Sequence, residues 1–236
     1  MKKLVGVSIV CLLFVCSAPA LALTVVHATD NSNVVSIAGI LDYYATGATM
    51  AGMQVTVEYI IGDETRTWTA TTDQAGHAID DQGWRQFELA QSGDTWDMSW
   101  TLSNDTCFTY ITKLTIDALA GNTVFDIGGP ADTPGSASGM MFEVTGGNYG
   151  QSQFFNDTIT ATYKDLVAVG GTAYGDLYGT LELAFCRPLG NPFAGGNTLQ
   201  FIADTDRVVP EPGTVFLLGT GVIGLVVMGR KHLLKK

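Results

Sequence analysis

Met53-Gln54-Val55-Thr56-Val57-Glu58-Tyr59 sets the fold class of this chain. Apolar and polar residues alternate along it, and a strand turns that period of two into one dry face and one wet face. The pattern recurs downstream. Trp96, Met98, Trp100 and Leu102 alternate with Asp97, Ser99 and Thr101. Phe108, Tyr110, Leu114 and Ile116 share a face, as do Ile159, Ala161 and Tyr163. Leu177, Leu181, Leu183 and Phe185 form another series, and Leu199, Phe201 and Ala203 a last one. Gly62-Asp63 reads as a tight hairpin, and Ser92-Gly93-Asp94 closes the run that begins at Phe87. Loops are expected from Gly128 to Gly139, at Gly146-Gly147-Asn148 and from Asn191 to Asn197. Asp165 to Ala168 is expected to form a turn, and no repeat of fixed period interrupts the series. About ten short strands with Gly-rich turns predict an all-β fold, a two-sheet antiparallel β-sandwich with jelly-roll-like winding.

The chain has 236 residues, 46% of them hydrophobic and 10% aromatic, enough to build a core rather than remain disordered. Its 12 basic and 23 acidic residues give a net charge of −11, unevenly spread. Lys2, Lys3, Arg230, Lys231, Lys235 and Lys236 sit at the ends. Between Leu23 and Val209, six basic residues face 22 acidic ones, a net charge of −16. Such a domain repels a phosphate backbone, so no nucleic-acid partner is expected.

Both ends read as targeting segments. Lys2 and Lys3, the apolar run Leu4 to Val15 and the small residues Ala18-Pro19-Ala20 and Ala20-Leu21-Ala22 form a secretory signal helix. Cleavage after Ala22 gives a signal peptide over 1–22, served by the Sec machinery and signal peptidase. A β-sandwich ectodomain is expected over 23–208, and a tail over 209–236. The tail opens with Val209-Pro210-Glu211-Pro212-Gly213, continues through an uncharged helix over 214–229, and ends on a basic stop over 230–236. Sixteen helical residues rise about 24 Å, short of a hydrocarbon core of about 30 Å. A transmembrane helix that short suits a segment that is recognised in the inner membrane and then removed. Its cations hold it on the cytoplasmic side.

Val209, Pro210, Glu211, Pro212, the apolar helix and the Arg230-Lys231 pair together resemble the PEP-CTERM sorting signal of Gram-negative bacteria. The resemblance covers the tail alone. It implies a membrane-embedded exosortase as partner, cleavage near the motif, and a mature protein at the cell surface or in the exopolysaccharide matrix. Gly219-Thr220-Gly221-Val222-Ile223-Gly224 matches a dinucleotide fingerprint. It lies inside the apolar tail without a surrounding βαβ unit, so its glycines are read as helix-packing positions.

Removal of the signal leaves Cys107 and Cys186 in an oxidising compartment. They read as a disulfide, worth about 4.5 kcal/mol on loop entropy, with two buried thiols as the alternative.

Catalytic signals are sparse. His27 and His77 have no G-x-S-x-G elbow to serve, because Gly135-Ser136-Ala137-Ser138-Gly139 places Ala at the nucleophile position. His77 is expected in a turn. Glu58, Glu88, Glu143 and Glu182 stand singly on strands, so no catalytic residue is assigned and the protein is read as not an enzyme. Oxygen-rich segments suit Ca2+ better: Asp30-Asn31-Ser32-Asn33, Asp80-Asp81 and, at a strand end, Asp204-Thr205-Asp206. Asp204 and Asp206 are the candidate ligands. Among the aromatics, Trp68, Tyr43, Tyr44, Tyr174 and Tyr178 are expected near the surface, where they can stack on sugar rings, and Trp96 and Trp100 in the core.

Three functions fit these residues. The first is a non-catalytic surface or matrix protein. The second is a carbohydrate-binding module for exopolysaccharide, with or without calcium. The third is a glycan hydrolase whose carboxylates meet only in the folded chain.

Overall fold

The computed structural model describes residues 23–81, 83, 85–106, 109–128, 132–136, 139–150, 157–186 and 192–209. The expected signal helix, transmembrane helix and basic stop lie outside these residues, as do Cys107 and Phe108. No helix among the described residues is long and apolar enough to cross a membrane.

The described residues form an all-β domain. In chain order its first strands are β1 (Thr24–Ile37), β2 (Gly39–Asp42), β3 (Gln54–Tyr59), β4 (Asp63–Thr67) and β5 (Thr69–Ala70). Next come β6 (Ala75–Asp80), β7 (Phe87–Ser92), β8 (Trp100–Asn104), β9 (Ile111–Asp117) and β10 (Thr123–Asp126). The last are β11 (Glu143–Gly147), β12 (Thr158–Val169), β13 (Thr172–Cys186), β14 (Thr198–Ile202) and β15 (Thr205–Val209). They form a nine-stranded sheet and a six-stranded sheet.

The large sheet runs β2-β15-β10-β13-β9-β3-β4, with β12 on the other edge of β13 and β1 beyond it. The small sheet runs β11-β14-β8-β7-β6-β5. The hairpin expected at Gly62-Asp63 joins β3 to β4, and its turn closes with Tyr59 N donating to Gly62 O at 2.8 Å. Two features depart from the sequence reading. β5 to β8 form a meander of consecutive strands, whereas a jelly roll passes the chain between sheets. β1 lies parallel to β12 while the other strand pairs are antiparallel. Parallel neighbours need a long connection, and here most of the domain intervenes.

The sheets face each other across one core. Val55, Val57, Leu114, Ile116, Ile159, Tyr163, Leu181 and Leu183 of the large sheet meet Phe87, Leu89, Trp100, Leu102, Leu199 and Phe201 of the small one. Trp100 is its centre. It stacks on Phe201 with ring centroids 6.0 Å apart and tilts against Trp68 at 5.4 Å. Its Nε1 donates to the carbonyl of Ala203 at 3.0 Å. A second cluster of Ile37, Val124, Val167, Leu177 and Val208 packs separately.

Several expected positions move. Trp96 and Met98 precede β8 rather than belonging to it, and they are 40% and 50% exposed. The Asp94 side chain accepts from Trp96 N at 3.1 Å and its carbonyl from Met98 N at 2.9 Å, which curls this segment into a turn. Asp165 to Ala168 is no turn but part of the second half of β12, where Asp165 takes a left-handed φ of 60°. Leu177 joins the second cluster and not the face of Leu181.

Trp100→Ala is expected to cost about 3–5 kcal/mol in urea unfolding, through the cavity and the orphaned Ala203 carbonyl. Trp100→Phe, which keeps the stack and loses the hydrogen bond, should cost markedly less.

Candidate functional site

Asp204 and Asp206 come together, and a third carboxylate joins them. One oxygen each from Asp126, Asp204 and Asp206 lies within 4.8 Å of the others, and all three residues are buried. Strand pairing explains the convergence. β10 and β15 are antiparallel with Val124 opposite Asp206 and Phe125 opposite Thr205. Asp126 N extends the ladder by donating to Asp204 O at 3.1 Å. Directly opposed residues share a face, and alternation carries Asp126 onto the same side.

A loop covers the acids. The Ser136 hydroxyl makes hydrogen bonds with Oδ2 of both Asp126 and Asp206. Gly128 N donates to Asp126 Oδ1 at 2.8 Å, and Thr95 Oγ1 donates to Asp204 Oδ1 at 3.1 Å. Thr133 anchors the loop through N and Oγ1, each donating to buried Asp176 at 2.6 Å. Gly139 passes against Asp126 so closely that a Cβ there would collide with the carboxylate. Glycine is required for that approach.

The electrostatics are unfavourable without a further charge. Among the described residues, no basic side chain forms an ion pair with any of the three acids. Loss of water pushes the Asp206 carboxyl up to about 8, opposed by the Ser136 hydrogen bond and reinforced by Asp126, Asp204 and Asp176. Burial likewise lifts Asp204 to about 7, with Thr95 opposing and Asp126 adding to the rise. Asp126 is also raised, again chiefly by burial. A single hydroxyl proton on Ser136 serves only one carboxylate at a time. The second contact therefore calls for a proton on a carboxyl or a cation among them.

The other sequence candidates disperse. Asp30 to Asn33 lies in exposed β1. Asp80 is held by Arg66 Nη2 at 2.8 Å. Glu182 pairs with Lys113 and Lys164, and Glu58 with Lys113. Glu143 lies exposed on β11. His77 is in β6 rather than a turn, with Nδ1 2.9 Å from Glu88 Oε1. His27 bonds the carbonyl of Phe142 at 2.8 Å. Trp68 is buried, its Nε1 donating to Gly47 O at 2.6 Å, and Tyr178 is buried as well, so neither offers a face to a sugar. Tyr43 and Tyr44 are exposed as expected. Cys186 ends β13, exposed and in no disulfide among the described residues; its expected partner Cys107 lies outside them.

Asp126 is the member of the cluster that the sequence did not single out. Its signal is an acid closing the apolar run Val124-Phe125 just before Ile127.

Comparison with known families identifies one segment. The model of the PEP-CTERM protein-sorting motif matches residues 208–231. The match includes Val209, Pro210, Glu211, Pro212, Arg230 and Lys231. The motif implies export across the membrane to the cell surface of a Gram-negative bacterium, with sorting by an exosortase. No curated protein and no solved structure matches the chain.

The raised carboxyls set a pH dependence. The folded state keeps protons that the unfolded chain releases above about pH 4. In chelator, stability is therefore expected to fall as pH rises from about 4 towards 8, where Asp204 and Asp206 complete their ionisation. Asp206→Asn should flatten that slope in denaturant titrations across this range.

Proposed function

We propose that the sorted domain is a non-catalytic, calcium-holding β-sandwich of the cell surface or extracellular matrix. In this reading the Sec machinery and signal peptidase remove residues 1–22, and exosortase acts at the tail beginning with Val209. The observation that carries the calcium assignment is the buried trio Asp126, Asp204 and Asp206, which no basic side chain among the described residues neutralises.

The donor chemistry suits this ion. Carboxylate and hydroxyl oxygens are hard ligands, which favour calcium or magnesium over zinc or copper. Oxygens within 4.8 Å of one another are close enough to converge on one cation, whose calcium–oxygen bonds run about 2.3–2.6 Å. Magnesium keeps several of its waters, and a site closed by Ser136 and Gly139 leaves little space for them. Asp126, Asp204, Asp206 and Ser136 would hold the ion. The ion would supply positive charge where two strands and a loop now meet through acids alone, tying β10, β15 and the covering loop together.

Calcium is expected to raise the unfolding temperature of the purified protein over that in EGTA. A free concentration a hundredfold above Kd adds about 2.7 kcal/mol, a shift of several degrees for a domain of this size. Asp126→Asn should abolish the calcium shift while leaving the chelated protein folded. An equal shift in wild type and variant would show that calcium acts elsewhere.

Processing is tested by intact mass in the native host. Protein from the outer fraction should lack Val215 to Lys236, and a retained tail there would sink the exosortase step.

A further inference from the structure

The small sheet carries a groove of about 280 Å3 on the side away from the core. The register shows why it is there. His77 of β6, Ala90 of β7 and Thr101 of β8 stand in one cross-strand row, and Ala75 lies opposite Ser92 in the next. Ala75 and Ala90 are short, so the surface dips between the taller His77, Glu88, Met98 and Thr101. Inward neighbours Ala78, Leu89 and Leu102 are buried in the core and keep the floor rigid.

We infer that this groove binds a neutral saccharide chain lying across β6, β7 and β8. Its chemistry is mixed in the way a sugar requires. Glu88 accepts or pairs through Oε1 with His77 Nδ1 at 2.9 Å. That contact orients both side chains, while Glu88 Oε2 and His77 Nε2 have no partner among the described residues and are left for ligand hydroxyls. Thr101 and Ser92 add hydroxyls that both donate and accept. The Met98 thioether and the methyl groups of Ala75 and Ala90 offer apolar contact to the C–H faces of a ring.

Other ligand classes fit less well. An extended peptide binds a sheet through free backbone groups at an edge. Here β6, β7 and β8 are paired on both sides, so only side chains face the groove. Polyanions meet a domain of net charge −16 and a carboxylate in the groove itself. The volume lies at the small end of ligand clefts, about 300 Å3 and upwards, which suits a short stretch of a longer chain.

The groove shares no residue with the Asp126, Asp204 and Asp206 cluster, so this inference stands or falls separately from the calcium assignment. The test is affinity electrophoresis of the full-length chain in detergent. The gels contain dextran, galactomannan or hydroxyethylcellulose, with alginate as the uronate comparison, and are run with calcium and with EGTA. At least one neutral polymer should retard the protein more than alginate does, in both conditions. Ala90→Trp, which fills the dip, should abolish the retardation. Glu88→Ala, at a half-buried position on the outer face of β7, should weaken it about tenfold or more by removing a charged hydrogen-bonding group. Thr115→Trp, on the outer face of the other sheet, should bind as wild type does. Retardation by no neutral polymer, preference for alginate, or wild-type binding by Glu88→Ala and a folded Ala90→Trp would each overturn the assignment.

Discussion

The large sheet depends on β13, because one edge of that strand is divided between two neighbours. Thr180 to Ala184 pair with β9, whereas Leu177 and Tyr178 pair with β10. The opposite edge stays with β12 on both sides of the division. Leu181, Leu183 and Phe185 face the main core on one side of it, and on the other Leu177 points to the second cluster. The change of phase falls at Gly179 and at Asp165 on the neighbouring strand, which has left-handed backbone. Asn33 and Thr180 each donate to the Asp165 carboxylate, at 2.6 and 2.7 Å. A side chain at Gly179 would strike Leu119. Beyond this local distortion β13 pairs with β10, and β15 and β2 follow, with Asp206 on the same side as Val124 and Val208.

Charge distribution completes the account of that arm. Four of the five described basic residues are engaged elsewhere, Arg66 with Asp80 and Glu64, Arg85 with Glu64, and Lys113 and Lys164 around Glu182; Arg207, next to Asp206 on β15, forms no ion pair among the described residues. Such exposed pairs contribute little to stability individually. Buried carboxylates are different, since each costs several kcal/mol to desolvate without compensation. The fold accepts that cost at the root of the strand that runs into the sorting motif, where Val208 is both a buried residue and the first residue of the matched segment. The groove proposed for a saccharide lies on the other sheet, built from ordinary alternation and two small side chains, and needs no such compensation.

Much of the core was legible in advance. Val55 and Val57, Leu114 and Ile116, Ile159 to Tyr163, and Leu199 to Phe201 fall on the buried faces that a period of two assigns them. The errors have physical causes. Trp96 and Met98 keep the alternation but sit in a turn built by Asp94, whose side chain competes with the strand ladder for backbone donors. Trp68 sits beside polar neighbours yet is buried, because its position between β4 and β5 falls where the chain passes from one sheet to the other. Asp204 and Asp206 were visible as an acidic pair at a strand end. Asp126 was not, because its approach to them is set by strand pairing across a long stretch of chain and leaves only a misplaced acid in an apolar run.

The sequence alone determined the sheet class, the inward faces of most strands, the acidity of the domain and the sorting motif at its end. Each of these is a local property: side-chain alternation, charge and short contiguous motifs act over a few residues. The tertiary structure decided which strands became neighbours, and so the parallel β1, the divided edge of β13, the Asp126–Asp204–Asp206 cluster and the groove over β6 to β8. Those follow from register and long-range packing, where residues far apart in the chain come to share one face, one cavity and one electrostatic field.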